Sequence, residues 1–287
     1  MPGAEFKRQA AVWKNYVMDM THMPFAETKR AIAEGTAAPS VVSSLIAESE
    51  DAHSAVRERV IRDSAGAAYT GGADTSLSSV GTLIYAMMLH PEVRRKAQAE
   101  LDRVVGRDRL PSLADRQNLP YITAIYREGM RWRPVGPLAV PHVLSKDDEY
   151  LGYHFSAGTL VIGNLWAILH DEARYVDPDT FNPERFMTPE GTLDPNVPNP
   201  EDYAFGFGRR VCPGRFLASN SVWLALASIL AVFNLELPTN EFGEKIKPSG
   251  EYTSGLISYP MPFRCNFKPR SAEAEALIRA AAYEAES

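Results

Sequence analysis

The stretch Phe205-Gly-Phe-Gly-Arg-Arg-Val-Cys-Pro-Gly214 decides how this chain is read. It sets one cysteine, Cys212, at the end of a glycine-jointed loop, just ahead of an apolar run at 222–233 that reads as a buried helix. A thiolate at that place gains from the positive end of a helix dipole and from free backbone N–H groups, which suits it to bind a metal. Gly206 and Gly208 permit a tight hairpin, and Gly214 lets the backbone pass close to a flat ligand. Phe205 is placed to shield the sulfur from water, and Arg210 to reach a carboxylate. The plain alternative for a lone cysteine is a buried, inert thiol. The complete pattern F-x-x-G-x-R-x-C-x-G favours the ligand.

Composition sets the frame around that loop. The chain has 287 residues, 45% hydrophobic and 23% charged, the profile of a globular protein with a large core. Its net charge of −6 argues against non-specific nucleic-acid binding. Two cysteines make a disulfide framework improbable and point to a reducing, intracellular setting. Cys265 lies in an apolar stretch and reads as a core residue. No transmembrane span is expected, since the run at 222–233 falls short of the roughly 20 residues a bilayer needs. The N-terminus lacks the apolar core of a signal peptide.

Periodicity predicts a mainly α protein with a small β part. Phe6, Ala10, Trp13, Val17 and Met20 form one apolar stripe of a helix expected to end at Met23-Pro24 and to pack on the body of the protein. A short helix ends at Gly35, and Ser40 caps the next. A very long helix is expected from Ala55 to Leu89, with further helices at 92–105 and 121–132. Strands are expected at 140–144, 149–154 and 159–163, an extended loop at 176–199, a hairpin at 251–267 and a frayed helix in the tail from 272. No inter-domain linker interrupts this series.

Three further motifs carry chemistry. Gly71-Gly72-Ala73-Asp74-Thr75 lies inside the long helix, where glycines and a back-bonding hydroxyl loosen the turn and aim Thr75 into a cavity; alone, it reads as a helix flaw or cap. Glu128-Gly-Met-Arg131 puts acid and base on one helix face, a very common surface pairing. Phe181-Asn-Pro-Glu-Arg185-Phe186 adds another arginine, with Glu184 expected at the surface. Trp166 and His170 read as core and cap. Arg209 and Arg215, with Arg94, Arg95 and Lys96, read as a solvated basic face.

Taken together, the cysteine loop and these motifs, in this order, resemble the cytochrome P450 family of haem-thiolate monooxygenases. The resemblance runs to about residue 270, leaving 271–287 as a tail, and is similar to the middle and end of fungal members tied to secondary metabolism. It implies a truncated P450 fold and a haem cofactor whose iron Cys212 ligates. Phe205, Arg210, Gly214 and His142 would border that haem, although a histidine at a strand start has an ordinary polar role as its rival. Thr75 and Asp74 would relay protons to dioxygen. Glu128, Arg131 and Arg185 would form a buried triad bracing the cysteine loop, and Leu138, Ala139 and Val140 would face substrate, with help from 67–73 and 253–257.

The implied partners are an NADPH–cytochrome P450 reductase, docked on the basic surface behind the cysteine, and a hydrophobic small molecule. The family's setting implies the endoplasmic reticulum membrane, yet no anchor is expected in this chain. None of Trp13, Trp132, Trp166 or Trp223 has an arginine four residues on, so the family's W-x-x-x-R helix is missing. The sequence is therefore expected to be the catalytic half of an oxygenase, a fragment or truncated gene model. Two rivals remain: a haem-thiolate isomerase needing no reductase, and a non-catalytic piece that holds no haem.

Overall fold

Thirty-five residues of α-helix, α3 (Ala55–Leu89), form the longest element, on the bounds expected from the sequence. The computed structural model describes residue 3, residues 5–48 and residues 54–286. Met1, Pro2 and Ala4 of the N-terminal stretch, residues 49–53, and Ser287 of the tail lie outside the described residues. Two compact units result, residues 1–74 and 75–287, with the boundary inside α3.

In the first unit, α1 (Glu5–Glu34) continues straight through Pro24, where a helix end was expected. An internal proline removes one backbone bond and costs about 3 kcal/mol, a local penalty that tertiary packing can outweigh. Phe25 buries beside it. Gly35, in the left-handed region at φ 72°, then closes the helix, its amide and that of Thr36 returning to Ile32 and Ala31. The two expected helices are thus one. Its stripe also differs from expectation, since Phe6, Trp13 and Val17 are exposed. The next helix, α2 (Val41–Ala47), starts at Ser40 through a reciprocal capping box with Ser43.

The second unit is built on α4 (Pro91–Val104), α5 (Pro120–Trp132) and α8 (Arg215–Val232). The start of α5 is answered from outside: the buried Glu100 carboxylate of α4 accepts from the Tyr121 and Ile122 amides at 3.0–3.1 Å. Along α8, Trp223, Leu226, Ala227 and Leu230 enter the main core, and the Trp223 indole N–H donates to Thr123 Oγ1 at 3.0 Å. This helix starts seven residues before the apolar run and, by length and composition, is apolar enough to cross a membrane. Its buried face marks it as a core helix.

Short elements complete the unit. Strands β1 (His142–Val143) and β4 (Leu160–Val161) pair antiparallel, as do β2 (Asp148–Tyr150) and β3 (Tyr153–Phe155). The strand expected at 149–154 is therefore a hairpin, turned at Leu151 and Gly152, both with positive φ. After α6 (Leu165–Leu169) and α7 (Glu201–Ala204) comes β5 (Phe233–Glu236), which pairs with β6 (Asn266–Pro269). The hairpin expected at 251–267 shrinks to one bridge, Tyr252–Pro260, because β6 pairs with β5 instead. The tail forms α9 (Ala272–Glu286), anchored by buried Ala274.

Candidate functional site

The cysteine loop hangs between α7 and α8. Gly206 turns the chain at φ 80°, its amide bonded to the Tyr203 carbonyl, and Gly208 turns it again at φ 58° into a single 3₁₀ turn over Gly208–Arg210. Side chains resist that left-handed region, which explains glycine at both positions. The hairpin closes when the Cys212 amide donates to the Phe205 carbonyl at 2.8 Å. Gly214 is the N-cap of α8, so the cysteine sits just ahead of that helix's free N–H groups.

Cys212 is half-buried, and a Cβ added at Gly214 would lie 3.8 Å from its sulfur. Across the loop, a Cβ at Gly163 would meet Phe207 at 3.4 Å and Ala139 at 3.5 Å. Gly163 thus lies between the cysteine loop and the 138–140 segment, at ordinary contact distance from both, a place that no motif in the sequence signalled. Beside it, Leu138, Val140 and Phe207 are exposed, and Ala139 is held at φ 52°. Arg210 and His142 are exposed, and their side chains engage none of the described residues. A soft sulfur donor, apolar walls and two uncommitted basic side chains fit a flat, apolar metal complex with an anionic edge.

Glu128, Arg131 and Arg185 do come together. Arg131 makes two 2.8 Å hydrogen bonds to the Glu128 carboxylate, and Arg185 Nε approaches the same oxygens at 3.1 and 3.3 Å. The Glu128 and Arg131 side chains are fully buried. The network continues to the Leu169, Val176, Asp177 and Thr180 carbonyls and the Asn182 amide, and none of these belongs to the cysteine loop. Arg131 also sits 5.5 Å from the Tyr175 ring, whose phenol burial pushes up to about 12.

The glycine-rich stretch of α3 stays α-helical throughout. Hydroxyl back-bonds flank the stretch, Thr70 to Gly66 at 2.8 Å and Ser79 to Thr75 at 3.1 Å. Thr75 is half-buried and Asp74 exposed; Asp74 is the last residue of the first unit and Thr75 the first of the second.

Other expectations need correction. Arg94 is buried, not solvated; its guanidinium donates to the Met87 and Leu235 carbonyls. Lys96 pairs with Glu184 at 2.6 Å, which is at the surface as expected. Trp166 is exposed rather than core, and its ring stacks 3.7 Å from that of His170. His170 does cap α6, and burial lowers its pKa. Cys265 packs against the main core, and burial raises its thiol pKa.

A family model described as cytochrome P450 matches residues 1–264. Cytochrome P450 monooxygenase 98 of Postia placenta is 45% identical over 280 residues, covering 96% of this chain and 54% of the relative. Tryptamine 4-monooxygenase of Psilocybe cyanescens is 42% identical over 275 residues, covering 95% and 54% respectively. A solved zebrafish cytochrome P450 with abiraterone superposes with a TM-score of 0.66 at 32% identity, covering 79% of this chain and 52% of that one. The chain spans about half the length of the curated relatives it matches. With its cysteine hairpin, its order of motifs and these matches in agreement, the chain belongs to the cytochrome P450 family.

Proposed function

We propose that this chain carries the thiolate side of a haem-dependent monooxygenase that inserts one oxygen atom of dioxygen into a hydrophobic small molecule. The observation that carries the reading is the closed hairpin that presents a half-buried Cys212 sulfur beside Gly214, the N-cap of α8. Haem, when bound, supplies the redox chemistry that cleaves dioxygen, and a cysteine ligand favours that cleavage by pushing electron density to the iron.

The chain's own residues do the rest. Cys212 Sγ would hold the iron, and Phe205 and Gly214 would keep its surroundings dry and close. Arg210 and His142 would hold the anionic edge of the porphyrin by charge and hydrogen bonding. Thr75 Oγ1 passes protons taken from the Asp74 carboxyl, and Leu138, Ala139 and Val140 orient the substrate. Glu128, Arg131 and Arg185 keep α5 and the 169–185 segment in register. Electrons come from NADPH through a reductase, received on the surface of Arg209, Phe216 and Leu217, all exposed near the loop.

Adding haem to the purified chain, then reductant and carbon monoxide, tests the reading. The expected result is the far-red-shifted Soret band of a thiolate ligand, abolished in Cys212→Ala. An imidazole-type band, or no uptake of haem, would overturn it. Dependence of turnover on NADPH separates the monooxygenase from an isomerase of peroxides.

A further inference from the structure

The buried triad makes no bond to the cysteine loop, so something else must set the two ends of that loop against each other. One residue on each stem does so. Glu201, on α7 four residues before Phe205, and Ser219, on α8 seven residues after Cys212, meet in a hydrogen bond of 2.6 Å from the Ser219 hydroxyl to Glu201 Oε1. This bond spans the neck of the whole hairpin. The same oxygen accepts from Tyr126 of α5 at 3.0 Å, while Ser219 Oγ accepts from Arg116 Nη2 at 3.0 Å. Arg116 also donates to Asn220 at 2.8 Å. Tyr126 and Ser219 are buried, and burial followed by the Glu201 charge raises the Tyr126 phenol pKa.

From this geometry we infer that Glu201 is a positioning residue for the thiolate loop, acting through Ser219. Among the described residues the hydrogen bonds of 205–214 are short-range ones, backbone bonds plus a long 3.5 Å bond from Arg215 Nη1 to the Cys212 carbonyl, and its Phe207 ring rests near Gly163, so the bond across the neck is the side-chain link that ties its two stems together. A charge-assisted bond across the neck is stronger than a neutral one and shorter, and it is screened from water by the buried Tyr126. Closing the neck fixes where the Cys212 sulfur stands ahead of α8. The inference rests on the reading of Cys212 as iron ligand only for its spectroscopic consequence; the mechanical consequence holds for the chain without haem.

Amide hydrogen exchange on the full chain, with and without haem, tests both. In the haem-free chain, Ser219→Ala and Glu201→Ala should speed exchange of the Cys212 amide by about tenfold, the population gained when one such bond is lost. Exchange of Ile125 and Leu230, deep in the core helices, should not change. Glu201→Gln keeps a carbonyl acceptor and should restore most of the protection. Tyr126→Phe leaves the neck closed and should leave the Cys212 amide unaffected. Unchanged Cys212 exchange in Ser219→Ala overturns the inference, and so does equal acceleration of loop and core amides, which would mark a general loss of stability. Should Glu201→Ala fail to fold, Ser219→Ala and Glu201→Gln still decide the matter. In the haem-loaded chain, Ser219→Ala should shift part of the carbon monoxide band away from the thiolate position at equal haem content. If the wild-type chain gives no thiolate band, the iron-ligand reading fails while the exchange result still stands.

Discussion

Arg131 grips Glu128 through two parallel 2.8 Å hydrogen bonds in a place no solvent reaches, and Arg185 closes on the same carboxylate from the opposite strand of chain. Charges so placed are tolerable only because each is matched.

Glu128→Ala leaves two buried or nearly buried guanidiniums without their anion, and should cost about 3–5 kcal/mol. Urea unfolding of the purified chain reads the loss directly. Lys96→Ala, which breaks the exposed pair with Glu184, should cost less than about 1 kcal/mol in the same assay. Equal losses would contradict the distinction drawn between the two pairs.

Glycines 66 and 72 of α3 should respond with opposite signs. A Cβ at Gly66 would lie 2.6 Å from the Thr21 methyl of α1, and Thr21 is itself held by hydroxyl bonds to Val17 and Met18. Gly66→Ala should therefore destabilise despite alanine's better helix propensity. At Gly72 a Cβ meets nothing within 4 Å, so Gly72→Ala should stabilise by up to about 1 kcal/mol. Thermal unfolding of both variants checks the signs.

Asp115 should contribute a pH-dependent share of stability. Its carboxylate holds Arg109 through bonds of 2.7 and 2.8 Å and accepts from the Ser112 amide at 2.8 Å. The Arg109 bond first, then the Ser112 amide, depress its pKa far below the ordinary carboxylate range. A carboxyl depressed on folding stabilises the protein above the unfolded pKa of about 3.9, and that share disappears as pH falls toward the folded value. Asp115→Asn should lower stability by about 1 kcal/mol at pH 7, and the difference should shrink steadily below about pH 4. A gap that stays constant with pH would refute the assignment.

If Thr75 Oγ1 carries protons, Thr75→Ala should uncouple electron use from product. In a reductase-coupled assay, peroxide released per NADPH consumed should rise about tenfold or more, well within the roughly 10²–10⁴-fold that positioned proton transfer typically contributes. Coupling at the wild-type level would remove Thr75 from the relay.

Much of this molecule was legible in its residues, and the misses share a cause. The bounds of α3, the Ser40 cap and the cysteine hairpin depend on short-range rules: helix periodicity, a side-chain oxygen at a free amide, glycine where φ is positive. The errors fell where distant partners compete with local preference. Pro24 stays inside α1 although it breaks helices locally. Residues 149–154 turn back on themselves because Gly152, beside Leu151, lets a pair of positive φ angles form. The 251–267 segment gives up its own hairpin because Asn266–Pro269 finds a better edge at Phe233–Glu236.

The linear order of residues was enough to mark out the cysteine hairpin, the glycines that turn it and the family to which the chain belongs, since each is a matter of residue type at fixed spacing. Only the folded chain decided which groups close the neck of the loop: Glu201 and Ser219 are 18 positions apart, and no periodicity links them. Their meeting follows from α7 and α8 packing on α5, which buries Tyr126 and Ser219 and leaves the Glu201 carboxylate as the acceptor for both hydroxyls.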